Sequence, residues 1–404
     1  AMAGPTPVSA LLHSATMVAA GAILLVRFAP VFEAQPFVSG IVAISGAATA
    51  VFGSACALAQ LDTKRLLAYS SISQIGMMVM AVGVGAPEVA MAHFVVHAVF
   101  KSMLFMSAGV MAQGGGGSTA IVDLRGAMRR TPISYWTFSV GAATLAAFPI
   151  ITAGWWSKEA ILGAALEDGV FGMVLWGLGI AAAVMTGAYA FRPVIVGAMR
   201  APAGRSEQRA PETIFANGPL ILLAILSLTG GLAVDPIVTF LGGHVPHPPL
   251  QVEIAGAVAV LSGLALSILL TFNREMVIRI RRARKLRAGL QMDARYYLIF
   301  VRPYRRLVQR LAGSPHDEVQ PRGQPVELGD PIGDFVVSMG LRLRHAVFEP
   351  FLPDRFDASI MRASGGVMVA ARRARRFQTG KVRTYVLALA IGMSTLLILA
   401  WGQN

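Results

Sequence analysis

Two histidines and a lysine stand at four-residue intervals in MAHFVVHAVFKSM: His93, His97 and Lys101. At about 100° per residue they drift only about 40° per step, so a helix carries them on one stripe. The surrounding residues are apolar enough for a membrane span. Titratable groups on one face of such a span are costly in hydrocarbon. They line a bundle interior or a wet cavity, and rows of them relay protons. Histidine changes charge near neutrality, and a lysine removed from water exchanges its proton more readily than one in water. Successive members lie about 6 Å apart along the axis. That exceeds hydrogen-bond reach, so transfer along the row needs intervening water or swinging side chains. The plainer alternative is a packing motif of hydrogen-bonded histidines, which accounts less well for three residues in register.

Four further residues join the candidate set. Lys158 and Glu159 are adjacent in WWSKEAIL, behind PIITAG and ahead of the short segment EAILGAALEDG. That segment is too short to span and begins behind Gly154. It reads as half of a discontinuous helix, whose backbone ends can bind or pass ions at membrane depth. An interfacial loop with a snorkelling Lys158 is the alternative. His13 lies in SALLHSATMV, one turn from the expected start of the first helix, with Ser9, Ser14 and Thr16 nearby. LDTKRLLAYSSISQIG places Asp62, Lys64 and Arg65 at a helix start, with Ser70, Ser71, Ser73 and Gln74 inside the span. The serines and Arg65 read as ordinary helix glue and turn residues; Lys64 stays a candidate. Other chemistry is absent. His244 and His247 sit beside prolines without further metal ligands, the Gly114–Gly117 run lacks a phosphate-loop context, and the single Cys56 reads as a small packed residue.

The elements that must hold these residues follow from composition. Of 404 residues, 55% are hydrophobic and 14% charged, and the mean hydropathy is +0.62. A soluble domain needs far more polar surface. Apolar runs of about 20 residues recur, so the expected fold is all-α: a polytopic bundle of about nine or ten transmembrane helices, one of them discontinuous. Candidate spans are 8–29, 37–60, 66–84, 88–112, 133–153, 171–198, 215–240, 252–273 and 384–401. The net charge of +14 is concentrated in one region. Residues 274–383 hold 23 Lys and Arg against 10 Asp and Glu. The basic balance therefore speaks for a local membrane-surface region contacting anionic lipids, and no nucleic-acid partner is expected. IRIRRARKLRAGL and GGVMVAARRARRFQ fit amphipathic surface helices, separated by a Pro-rich interruption. Loops with Arg125, Arg129 and Arg130, and with Arg200, Arg205 and Arg209, fall on the same side as this region. The positive-inside rule assigns that side to the cytoplasm, with the C-terminus outside. The expected domains are a core at 1–200, further spans at 201–273, a basic lateral region at 274–383 and a final helix at 384–404.

PTPVSALLHSATMVAAG, LDTKRLLAYSSISQIGMM, MAHFVVHAVFKSMLFMSAGV and FPIITAGWWSKEAIL closely resemble the antiporter-like membrane subunits of respiratory NADH–quinone oxidoreductase (complex I). The ending FQTGKVRTYVLALAIG is similar to the close of the subunit L branch, and Mrp-type antiporters share the core motifs. The resemblance is strong over residues 4–200, weaker to 273, and returns at 376–395. It implies that Lys101 is the central buried lysine of a half-channel, with His93 and His97 linking half-channels through water. His13 and Lys64 would lie on the hydrophilic axis, and Lys158, with its acidic neighbour Glu159, near the proton exit on the broken helix.

The family carries two inverted five-helix repeats, so the sequence is expected to be a fragment beginning at the second. The family's long lateral helix is here interrupted by Pro315, Pro321, Pro325, Pro331, Pro350 and Pro353, at about 3 kcal/mol for each interior proline. Shorter surface helices in series are expected instead. The implied function is a proton-translocating subunit in a bacterial inner membrane, coupled to redox chemistry elsewhere. No cofactor is expected in this chain; FMN, iron–sulfur clusters and quinone belong to partner subunits. The partners are other complex I membrane subunits, above all the neighbouring antiporter-like one. The alternatives are a cation/proton antiporter subunit and a structural membrane clamp.

Overall fold

The computed structural model describes residues 6–167, 169–201, 212, 214–245, 249–273, 275–276, 278 and 283–306. Two compact units divide the chain, Ala1–Gln291 with Val382–Asn404 and Met292–Lys381. Helices α1 (Thr6–Ser14), α2 (Ala19–Glu33), α3 (Pro36–Ala59), α4 (Thr63–Gly83), α5 (Pro87–Gly114) and α6 (Ala127–Arg130) open the first unit. They are followed by α7 (Pro132–Ala146), α8 (Ala153–Leu166), α9 (Gly169–Ala198), α10 (Ile214–Thr229), α11 (Val234–Phe240) and α12 (Leu250–Phe272). No β-strand occurs among the described residues. Seven helical stretches there are long and apolar enough to cross a membrane. The protein is an all-α polytopic bundle. In the second unit the described residues form the short helix Met292–Tyr296 and a π-helical turn, Tyr297–Val301.

Small residues set the closest helix pair. Gly46 and Gly53 on α3, and Gly76 and Gly83 on α4, are each seven residues apart. A β-carbon at Gly46 would collide with the backbone of Met80, one at Gly53 with Ser73, one at Gly76 with Ala50, and one at Gly83 with Ala43. The two backbones therefore touch along a glycine seam, the usual device of membrane helices that gain little from burying apolar surface against each other in lipid. The close approach lets Ser54 and Ser73 share a hydrogen bond of 2.7 Å. Gly187 on α9 and Gly263 on α12 make a second contact of this kind, about one Cβ wide.

Helix ends are closed by sequence-local chemistry. Asp62 precedes α4 and accepts from the Arg65 backbone N–H at 3.0 Å, satisfying one of the helix's orphan donors. Its other oxygen takes the Thr119 hydroxyl. Pro87 and Pro132 occupy first-turn positions of α5 and α7, where a missing N–H costs nothing. The α7 N-terminus receives the Glu212 carboxylate, which accepts from Ser134 N at 3.0 Å and Ser134 Oγ at 2.9 Å. That negative charge also meets the positive end of the helix dipole.

Several boundaries differ from the sequence expectation. The first span is two helices, α1 and α2, with the chain turning at 15–18. His13 therefore lies at the end of α1 rather than near the start of a long helix. Its polar neighbours Ser14 and Thr16 favour the interruption, Thr16 Oγ1 bonding back to the Leu11 carbonyl at 3.1 Å. The fourth helix starts at Thr63 rather than 66, because Asp62 caps it. The span expected at 133–153 stops at Ala146. The expected 215–240 helix tightens at Gly230–Ala233 between α10 and α11. In IRIRRARKLRAGL, one turn (Arg284–Arg287) is followed by left-handed backbone at Leu290 and Gln291, with φ of 51° and 55°. The interrupting prolines, GGVMVAARRARRFQ and the 384–401 span lie outside the described residues.

Candidate functional site

α5 presents His93, His97 and Lys101 to the interior, each with no exposed surface. α4 runs against it and offers Leu67, Ser70 and Gln74. The Lys101 ammonium donates to the Leu67 carbonyl at 2.9 Å and to the Ser70 hydroxyl. Both acceptors are neutral. An ammonium held in this way can leave a neutral amine behind without stranding a buried counter-charge.

His93 uses both ring nitrogens. Nε2 meets Gln74 Oε1 at 3.2 Å and Nδ1 meets Ser157 Oγ on α8 at 2.9 Å. Ser157 Oγ also lies 3.1 Å from the Ala153 carbonyl. A hydroxyl has one proton to give. When it points to Nδ1, the imidazole is neutral and donates through Nε2 to Gln74. When it turns to Ala153, Nδ1 carries a proton and donates to Ser157 Oγ, and with Nε2 also donating to Gln74 the ring is an imidazolium. One rotation of Ser157 therefore fits the site to either charge state of His93.

His97 follows one turn along. Its ring centroid is 6.4 Å from that of His93 and packs edge-on to Phe100 at 5.3 Å. Neither ring nitrogen makes a hydrogen bond of normal geometry, although the Ser14 backbone lies beside it. His13 stacks on Phe105 at 5.7 Å, again with both ring nitrogens unbonded. Its own carbonyl accepts from Ser71 Oγ at 3.2 Å, tying α1 to α4. A buried polar atom left without a partner costs about 1–3 kcal/mol, so both rings call for water or a moving side chain at their nitrogens.

The break between α7 and α8 places Lys158. At 15 and 14 residues, each helix is about 22 Å long and too short to cross about 30 Å of hydrocarbon. α7 ends with Ala147 left-handed, φ 64°. The backbone then folds back: Phe148 N reaches the Ala143 carbonyl at 2.9 Å and Ala147 N the Thr144 carbonyl at 3.0 Å. This is a Schellman closure with alanine in the place usually taken by glycine. Lys158 Nζ then donates to the next carbonyl, Leu145, at 2.6 Å. The ammonium thus sits at the negative end of α7. Gly154 makes the approach possible, since a β-carbon there would overlap the Thr144 carbonyl. Lys158 interacts electrostatically with His93, His97 and Lys101.

The fold thus gathers His13, His93, His97, Lys101 and Lys158 along the buried meeting of α1, α4, α5 and α8. Two sequence candidates stand apart. Glu159 is buried at 5% exposure but faces α12, its carboxyl lying against Gly256. Lys64 is half-buried in the first turn of α4, before Leu67 and Ser70. Sequence reading passed over Ser157, Ser70 and Gln74 as polar groups of the row. A signal was there: α4 and α5 follow each other through a short turn, so polar residues at 70 and 74 oppose 101 and 93. Among the described residues no cluster of three or more His, Cys, Asp and Glu could hold a metal. His244 is exposed, His247 lies outside the described residues, and Cys56 is buried.

Residues 1–186 match the NADH:quinone oxidoreductase/Mrp antiporter transmembrane family. The NADH-quinone oxidoreductase subunit L of Pseudomonas aeruginosa is 37% identical over 333 residues, covering 78% of this chain and 53% of that protein. The Escherichia coli K12 subunit L is 37% identical over 286 residues, covering 69% and 45%. The chain spans about half the length of these relatives. Among solved structures, the Mrp complex of a Dietzia species aligns with a TM-score of 0.56 and 26% identity, covering 86% of this chain and 42% of the matched one.

Proposed function

We propose that the chain, whose residues 1–186 match the NADH:quinone oxidoreductase/Mrp antiporter transmembrane family, is a proton-translocating membrane subunit of an NADH–quinone oxidoreductase. Oxidation and reduction take place in other subunits of the complex, and the membrane partners of this chain include a neighbouring antiporter-like subunit. Protons move between Lys101 and Lys158 through His97 and His93, with water completing the steps that side chains cannot span. His13 and Lys64 extend the polar axis away from Lys158. Ser157 accommodates either charge state of His93 by rotation. The arginine-bearing loops face the cytoplasm of a bacterial inner membrane.

The observation that supports this reading best is the fully buried row itself. Lys101 and His93 on α5 meet neutral partners on α4 and α8, His97 lies fully buried between them, and such a row, costly in hydrocarbon, is kept where it serves a function. In the assembled parent complex, Lys101→Ala is expected to leave quinone reduction and assembly in place. The protons moved per electron should fall. An unchanged ratio with intact assembly would sink the relay.

A second reading, a cation/proton antiporter subunit, draws support from the likeness to the Dietzia Mrp complex. Sodium dependence of transport in sealed vesicles would favour it, and sodium independence would favour the first reading.

A further inference from the structure

The Glu159 carboxyl turns away from the lysine–histidine row. It is buried, and its Oε2 has no hydrogen-bond partner. It lies against α12, where Gly256 leaves just the room it occupies; a β-carbon at 256 would overlap Oε1. One turn earlier on the same face of α12 stands Glu253, half-buried and in electrostatic contact with Glu159. The separation of residues 253 and 256 is about 4.5 Å along the axis. The loop leading into α12 lies at the end of the bundle where α5 begins, since Gly243 packs on Glu88, whereas Arg130 packs on Gly115 at the other end of α5. Glu253 is therefore at the end of the bundle opposite the arginine loops, and Glu159 interacts electrostatically with both Glu253 and Lys158. A buried carboxyl beside a more exposed one is the arrangement by which two carboxylates share and pass one proton.

Resting on the proton-translocating reading above, we infer that Glu253 is the proton-accepting group beyond Glu159, and that Gly256 is the positioning residue that admits Glu159 to it. The protonated Glu159 gives its proton through water to the Glu253 carboxylate. The Lys158 ammonium then reprotonates Glu159 and becomes a neutral amine, and the Glu253 carboxyl releases its proton to the water outside. One proton leaves and no charge is stranded.

The test uses the assembled parent complex in sealed vesicles, reading protons moved per electron, native-gel assembly and infrared difference bands of protonated carboxyls. Glu253→Gln should remove this chain's contribution to the pumping ratio and one carboxyl band, with quinone reduction retained. Glu253→Asp should restore most of the ratio. Gly256→Ala, which keeps every ionisable group, should displace Glu159 and shift its band while lowering the ratio; it also supplies the measurement should Glu253→Gln fail to assemble. Full pumping in Glu253→Gln, or in an assembled Gly256→Ala, alongside loss of pumping in Lys101→Ala overturns this inference and leaves the relay standing. Full pumping in Lys101→Ala overturns both.

Discussion

At the scale of single residues, the interior row is arranged so that protonation states can change without isolating charge. Ser157 and Ser70 are its adjustable parts. Ser157→Ala removes the rotor that matches His93 to either charge state, so pumping per electron should drop severalfold while Ser157→Thr, which keeps the hydroxyl, restores it. Vesicle pH-dye measurements at fixed quinone turnover would check this, and equal losses in both variants would count against the rotor. Ser70→Ala removes one of two acceptors of the Lys101 ammonium. A buried hydrogen bond to a charged group contributes about 1.5–3 kcal/mol, so the detergent melting temperature should fall as well as the pumping. The stripe of His93, His97 and Lys101 was legible because helical spacing alone aligns it. The partners were not. Ser157 lies 64 residues from His93, and no local pattern reports that contact; Ser70, 31 residues from Lys101, could be read only by pairing α4 with α5 across their short turn.

At the scale of elements, the spans from α3 to α5 and from α9 to α12 could be read from runs of apolar residues, because their length matches the bilayer. The location of the helix break could not. PIITAG marks it, but the turn is made by Ala147 and Ile150 in left-handed backbone, φ 64° and 66°, and neither residue type announces that conformation. The glycine seam of α3 and α4 was also illegible, since its glycines serve only when paired. Gly76→Leu should force the two helices apart and destabilise the bundle by about 1–3 kcal/mol, seen as a lower melting temperature. The same change at Gly21, whose surroundings are open, should leave it unchanged.

At the scale of the whole molecule, the arrangement of basic loops predicts an orientation that labelling can check. Cys56 is the single cysteine of this sequence and is fully buried, so it adds no labelling of its own. An impermeant maleimide should label His244→Cys from outside intact cells, and Arg125→Cys only after the membrane is opened. The reverse pattern would invert the proposed topology. The left-handed Ala147 and Ile150 bear on energy conversion as well. Each L-residue held there costs about 1–2 kcal/mol. Carrying one elementary charge through 100 mV takes about 2.3 kcal/mol. The elastic energy held in this one turn is thus commensurate with the electrical work of a single transfer. A turn of glycines would hold almost none, and Ala147→Gly with Ile150→Gly should therefore relax the loop, loosen the Leu145 carbonyl that receives Lys158 and lower the protons moved per electron.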